Sequence, residues 1–235
     1  MKVIKLFFLF FFLNLDINAQ TDSDTLTALK IINKSIDAMG GEAYLKSIKT
    51  LYTDIKTEME GRQVHWIVKE MLPNKGSFQI TYKDRIVYET WFDGKKGFEI
   101  ENGNKKRADK EEFKDKFYKK NIFNELDYLD SNLWKLSYLG MEIINKDSCY
   151  KIQATLASGL VMMLYFDKDN FHMVRSDKLL NSEKNRFKTI LYSNFKTFDR
   201  LVYYTEMKFG EDGEYQTGTI ENLLINQLVD EKDFK

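Results

Sequence analysis

From Thr50 onward the apolar residues of this chain recur at every second position, and that period persists almost to the C-terminus. Val64, Trp66 and Val68 alternate with His65 and Lys69, and Phe78, Ile80 and Tyr82 alternate with Gln79 and Thr81. A repeat of two puts successive side chains on opposite faces of a strand, so each run has one apolar face to bury. The links are short and polar. Residues 86–92 and 96–100 meet at Asp93-Gly94, a dipeptide favoured in tight hairpins. Parallel strands need a crossover of a dozen residues or more, so links this short dictate an antiparallel meander. Further strand-like runs cover 136–143, 149–156, 160–166, 171–177, 186–192, 201–209 and 217–225. The expected fold is mainly β, of the α+β kind: one curved antiparallel sheet of about eleven strands, because a sheet that long must curl or close.

Helical spacing breaks this pattern in a few places. Over residues 22–39, Leu26, Leu29, Ile32 and Ile36 follow a cap at Ser23 or Asp24. Gly40-Gly41 ends that helix, since glycine accepts the left-handed backbone common there. A short helix over 42–48 turns Leu45 and Ile48 inward. In mid-chain, Asp109 and Glu112 form a capping box for a helix over 109–124. Phe113, Phe117, Tyr118 and Ile122 take one side of it; Lys110, Lys114, Lys116, Lys119 and Lys120 take the other, which reads as a solvated face. Lys105-Lys106-Arg107 reads as a solvated turn.

Residues 1–19 are of another kind. Lys2 and Lys5 precede an unbroken apolar run over 6–13, and Ile17-Asn18-Ala19 precede a cut before Gln20. That is the layout of a secretory signal peptide, leaving one domain over 20–235. The run is too short to span a bilayer, which takes about 20 residues, so the mature chain is expected to carry no transmembrane segment. A periplasmic location is expected, with full secretion as second choice. Thirty-six basic residues balance thirty-six acidic ones, which leaves no basic stripe for nucleic acid. Cys149 is the sole cysteine, so no intramolecular disulfide can form and stability must come from a packed core. Eighteen Phe, thirteen Tyr and three Trp supply one. Two histidines and one cysteine cannot build the usual zinc site without carboxylates, and no HExxH, GxSxG or GxxxxGK[ST] occurs. No metal, no cofactor and no catalytic residue is expected.

Several segments, in order, resemble a known family. Residues 36–51 read IDAMGGEAYLKSIKTL. Residues 140–177 read GMEIINKDSCYKIQATLASGLVMMLYFDKDNFHMVRSD, with a Cys-Tyr strand, a glycine and then a strand ending in Phe-Asp. LYSNFKTFDRLVYYTEMKF over 191–209 and LVDEKDFK over 228–235 complete the series. Together they resemble the periplasmic outer-membrane lipoprotein-sorting superfamily, the LolA/LolB-like proteins, in the form common in Bacteroidetes, where leaders ending in NAQ also occur. The resemblance implies a half-open β-barrel whose hollow lies under covering helices and shelters lipid chains, notably lipoprotein acyl groups. It implies no catalytic residues. The lipoprotein carriers proper keep a polar latch, often an arginine bonded to the covering helices, and none of Arg62, Arg85, Arg175 or Arg186 matches it here.

With that fold in view, residues 160–166 (LVMMLYF), apolar on both faces, read as a strand lining the hollow, with Met162, Met163, Leu164 and Phe166 supplying its wall. Residue pattern alone favours a central strand packed on both sides. Trp66, Phe78, Ile80, Tyr82, Tyr88 and Phe98 are the other candidates for ligand contact, each equally readable as ordinary core. His65 and His172 follow the alternation and should face away from their apolar neighbours, and Cys149 reads as a small buried apolar residue. The expected function is a non-enzymatic carrier or sensor of a lipid or lipoprotein acyl chains, extending to lipoprotein sorting. Burying each methylene of the ligand would contribute about 0.8 kcal/mol. The helices over 23–39 and 109–124 would act as covers. An envelope protein-interaction module of the same fold, holding no small ligand, is the alternative, and a hydrolase built on a carboxylate pair ranks last.

Overall fold

A computed structural model describes residues 17–101, 103–211 and 213–235. The expected leader therefore lies outside the described residues, except for its last three positions. Helix α1 (Ile17–Ala38) already runs through Ser23 and Asp24, which are not its cap. Its buried face is Ala28, Ile31, Ile32, Ser35 and Ile36, whereas Leu26 is 60 % exposed. Gly40 and Gly41 take positive φ after it, as expected, and α2 (Glu42–Ser47) follows.

The sheet opens with β1 (Thr50–Met59), β2 (Arg62–Met71), β3 (Lys75–Tyr82), β4 (Arg85–Phe92), β5 (Gly97–Glu101) and β6 (Asn104–Arg107). The interruption holds α3 (Lys110–Phe113), a 3-10 turn (Lys114–Tyr118) and α4 (Asn124–Asp127). Strands then resume with β7 (Trp134–Ile144), β8 (Asp147–Leu156), β9 (Val161–Asp167), β10 (Met173–Asn181) and β11 (Arg186–Ser193). The chain ends in β12 (Lys196–Phe198), β13 (Leu201–Tyr203), β14 (Glu206–Glu211), β15 (Glu214–Ile225) and a 3-10 turn (Glu231–Phe234). Among the described residues, thirteen strands form one sheet in the order β6-β5-β4-β3-β2-β1-β15-β14-β11-β10-β9-β8-β7, every pair antiparallel; β12 and β13 pair separately. The sheet is curved and not closed, with β6 and β7 at its edges. The curl is steep. Trp66 on β2 and Phe209 on β14 have two strands between them, about 14 Å along a flat sheet, yet their rings meet at 4.8 Å.

Cross-strand partners share a face, so the register sorts the side chains. The inner face carries Leu51, Ile55, Ile152, Ala154, Leu164 and Phe166, which join α1, Phe123 and Leu126 in the main core. The outer face has a smaller cluster of Ile144, Cys149 and Tyr165. Cys149 is fully buried there, and burial pushes its thiol up to about 11, so it is a packed apolar group and no nucleophile.

Some expectations fail locally. Lys105-Lys106-Arg107 is no turn but the edge strand β6, paired with β5. The run 201–209 is two strands, because β13 pairs with β12 outside the main sheet and β14 then joins it between β11 and β15. The helix expected over 109–124 is broken. Asp109 caps Glu111 N at 2.9 Å, but Glu112 reaches Thr90 at 3.4 Å instead of closing the box. After the 3-10 turn, Lys119 is extended. A continuous helix would turn its lysines to water. The tighter turn instead exposes Phe117 by 57 % and aims Lys116 and Lys119 at the sheet.

Candidate functional site

The broken segment over 108–133 acts as a strap across the inner face. At one end Phe113 stacks on Phe92 with centroids 5.7 Å apart, directly over Gly97, where a Cβ would lie 2.2 Å from the Phe113 ring. In mid-span Lys116 Nζ lies against Gly76, and Asp115 accepts from Ser158 Oγ at 2.7 Å with Lys178 Nζ 3.8 Å away. Lys119 Nζ donates to the Ile122 carbonyl at 2.7 Å and to Asn124 at 2.9 Å, and stands 3.7 Å from Glu70 on β2. The strap is thus tied from β3–β5 on one side to the β8–β9 turn and β10 on the other. Three of the four candidate arginines are engaged elsewhere. Arg175 pairs with Asp177 at 2.8 Å on the outer face, Arg186 pairs with Glu211, and Arg62 lies over the Tyr82 ring. Lysine does this work here.

The ten expected ligand residues separate into distinct environments. Trp66, Phe78, Ile80, Tyr82 and Tyr88 do share the inner face, by the pairs Trp66–Ile80 and Ile80–Tyr88. They are half-buried, with Trp66 edge-on to Phe78 at 5.6 Å and Phe78 tilted to Tyr88 at 6.2 Å. Phe78, Ile80, Tyr82 and Tyr88 lie outside the buried clusters. Leu164 and Phe166 also face inward but are 0 % exposed, so they are core beneath α1. Met162 lines a cavity of about 360 Å³ under the strap, with Leu160, Leu156, Trp134 and Tyr128. Phe98 and Met163 face outward. Phe98 pairs with Trp91 at 5.6 Å, and Met163 packs on the Cys149 cluster, because each sits one register step from its inward-facing neighbours. Phe209 and Ile190, cross-strand partners that the sequence pattern does not single out, join the same inner face.

A second cavity, about 160 Å³, adjoins the first and shares Glu70, Lys119 and Asn124 with it. Its lining is polar and aromatic on one part, with Glu125, His172, Phe195, Tyr192, Tyr203 and Tyr204, and aliphatic on the rest, with Met39, Ile122, Met173 and Val202. Glu125 is 6 % exposed, and burial raises its carboxyl above the ordinary value. Burial likewise raises Asp127, whose carboxylate accepts from Asn121 Nδ2 at 2.8 Å. It pushes Tyr203 well above its ordinary value and Tyr204 to about 12. His172, expected to point away, stacks on Phe195 at 4.4 Å; burial lowers its pKa, and its Nδ1 is buried with no partner. His65 does behave as expected, holding Asp54 at 2.8 Å on the outer face. Nothing in the sequence pattern marks this polar interior, because Glu125 falls in a segment without a clear period and Tyr203 in a run that reads as an ordinary strand. Among the described residues no three metal-ligating side chains converge.

No family model matches the sequence, and no curated protein is close enough to count as a match. Solved structures do match in shape. A LolA-superfamily protein from Nitrosomonas europaea superposes with a TM-score of 0.61 at 15 % identity, over 88 % of this chain and 97 % of its own. A candidate outer membrane lipoprotein-sorting protein domain from Vibrio parahaemolyticus gives 0.61 at 14 %, over 90 % and 97 %. A DUF1329 family protein from Desulfovibrio piger gives 0.59 at 14 %, again over 90 % and 97 %. At such identities the likeness establishes the architecture alone: this chain has the LolA-like fold.

Proposed function

We propose that this protein is an exported, non-enzymatic carrier that holds a lipid, or the acyl chains of a lipoprotein, on the open half of its inner face. The observation that carries the reading is the half-buried apolar surface of Trp66, Phe78, Ile80, Tyr82 and Tyr88 on β2–β4. It continues through Phe209 and lies on the same face as Met162, which lines the larger cavity. A soluble domain rarely leaves a contiguous apolar face of this kind without a use. The fold likeness supports the reading by analogy, since two of the matched proteins bear LolA or lipoprotein-sorting names. The leader-like residues 1–19 point to the periplasm, and Asn18-Ala19-Gln20 at the expected cut to a Bacteroidetes-type member. No described helix is long and apolar enough to cross a membrane.

Tryptophan fluorescence tests the proposal. Of the three tryptophans, Trp91 is 4 % and Trp134 is 9 % exposed, while Trp66 lies on the open surface. A phospholipid with brominated chains should quench emission saturably, and Trp66→Phe should remove the part of that quenching that arises on the open face. Quenching that is absent, or indifferent to Trp66→Phe, would refute the site. The envelope protein-interaction module is the second reading, favoured by one observation: α1 and the strap fill much of the inner face with the protein's own side chains.

A further inference from the structure

We infer that the smaller cavity under the strap is a niche for an organic ammonium group, primary or quaternary, carried by a lipid head or a free amine. Its charged lining is two carboxylates, Glu70 and Glu125, against one ammonium, Lys119. Lys119 is already engaged by the Ile122 carbonyl and Asn124 and stands near Glu70. Glu125 is 6 % exposed, and among the described residues no lysine or arginine lies within ion-pair distance of it. Lys119 acts on Glu125 only from beyond ion-pair distance and is shared with Glu70, so the two carboxylates outnumber the one ammonium and favour a ligand that brings a further positive charge.

The walls suit the same group. Tyr203 stacks on Tyr204 at 4.4 Å, and Tyr204 lies 4.6 Å from Tyr192, so the three rings form one continuous aromatic wall of the cavity. Aromatic faces attract ammonium, and most strongly when water is excluded. The hydroxyls of Tyr203 and Tyr204 contact each other at 3.4 Å, and Tyr192 shares a hydrogen with Ser176 at 3.0 Å. His172 Nδ1, buried and unpartnered, stands at the same cavity as a further acceptor or donor. An anion is disfavoured by the two carboxylates, and a metal ion by the lack of three convergent ligating side chains among the described residues. The shared lining of Glu70, Lys119 and Asn124 puts this niche beside the larger cavity walled by Leu156, Leu160 and Met162. A head in one and a chain in the other is the arrangement this offers, and that part rests on the carrier reading.

Calorimetric titration of the purified protein with four probes separates the claims: dihexanoyl phosphatidylethanolamine, dihexanoyl phosphatidylglycerol, ethanolamine and choline. The niche predicts at least about tenfold tighter binding of the ethanolamine lipid than of the glycerol lipid, about 1.4 kcal/mol. Glu125→Gln should erase that difference. Phe195→Leu, which trims a cavity wall and leaves the carboxylate, should weaken ethanolamine and choline several-fold and guards against a misfolded Gln variant. Equal affinity for the two lipids overturns the niche and leaves the carrier standing. Binding of ethanolamine or choline that depends on Glu125, with neither lipid bound, supports the niche for a free amine and overturns the carrier. Binding of none of the four overturns both.

Discussion

The two halves of the inner face share one sheet and one alternation, yet they end in different states. On β8 and β9, Ile152, Ala154, Leu164 and Phe166 are 0 % exposed beneath α1 and the strap. On β2–β4, Trp66, Phe78, Ile80 and Tyr88 are just as apolar and remain half-buried. What covers a strand, rather than the strand itself, decides whether its apolar face becomes core or surface. The covered half therefore supplies stability, and the open half is free to supply binding.

Truncation should break the symmetry most visibly. Phe166→Ala is expected to cost about 3–5 kcal/mol, because it leaves a cavity in a core that cannot collapse around it. Ile80→Ala on the open half should cost only about 1 kcal/mol, the share of burial a half-covered side chain has to lose. Urea unfolding midpoints measure both, and equal losses would contradict the division. Next comes the strap. Gly97→Val forces atoms into the Phe113 ring and should cost about 1–3 kcal/mol. Hydrogen exchange over residues 108–127 should quicken while β8 and β9 stay protected; uniform acceleration would show that the strap is not a separate unit. Ser158→Ala removes the donor to Asp115 and should cost about 1 kcal/mol, with the same local signature, weaker.

The buried acids add a pH dependence. Burial raises Glu125 above its ordinary 4.5 and Asp127 above its ordinary 3.8, so the folded state holds these protons longer than the unfolded chain. Stability is full below the ordinary values and drains as pH rises from there through the raised ones. Glu125→Gln keeps the shape without the charge. Its stability relative to the native protein should match at low pH and improve as pH climbs above 4.5, read from denaturation midpoints across pH. A difference that does not change with pH would contradict the assignment.

Much of this was legible in the residues. The alternation from Thr50 gave the meander, and Gly40-Gly41 marked the end of α1 where the structure ends it. Trp66, Phe78, Ile80 and Tyr88 share one face because they lie on adjacent strands in simple register, which alternation alone makes legible. Phe98 and Met163 were misplaced because a run apolar on both faces carries no mark of its inward side. The strap was least legible. Its helical pattern is real, but Phe113 over Gly97 and Lys116 against Gly76 are contacts between distant segments, and they override the local preference for a regular helix. No single periodic run marks the polar niche, since its lining is assembled from six separate stretches of chain.

The central claim is that the open half holds a lipid, and mass spectrometry of an organic extract tests it most directly. The protein would be purified without detergent from its native envelope, beside an Ile80→Lys variant shown to be folded. The account predicts a stoichiometric acyl-bearing lipid in the native extract and its loss from the variant. A folded native protein that yields an empty extract, or the same lipid at the same stoichiometry from both, would contradict it.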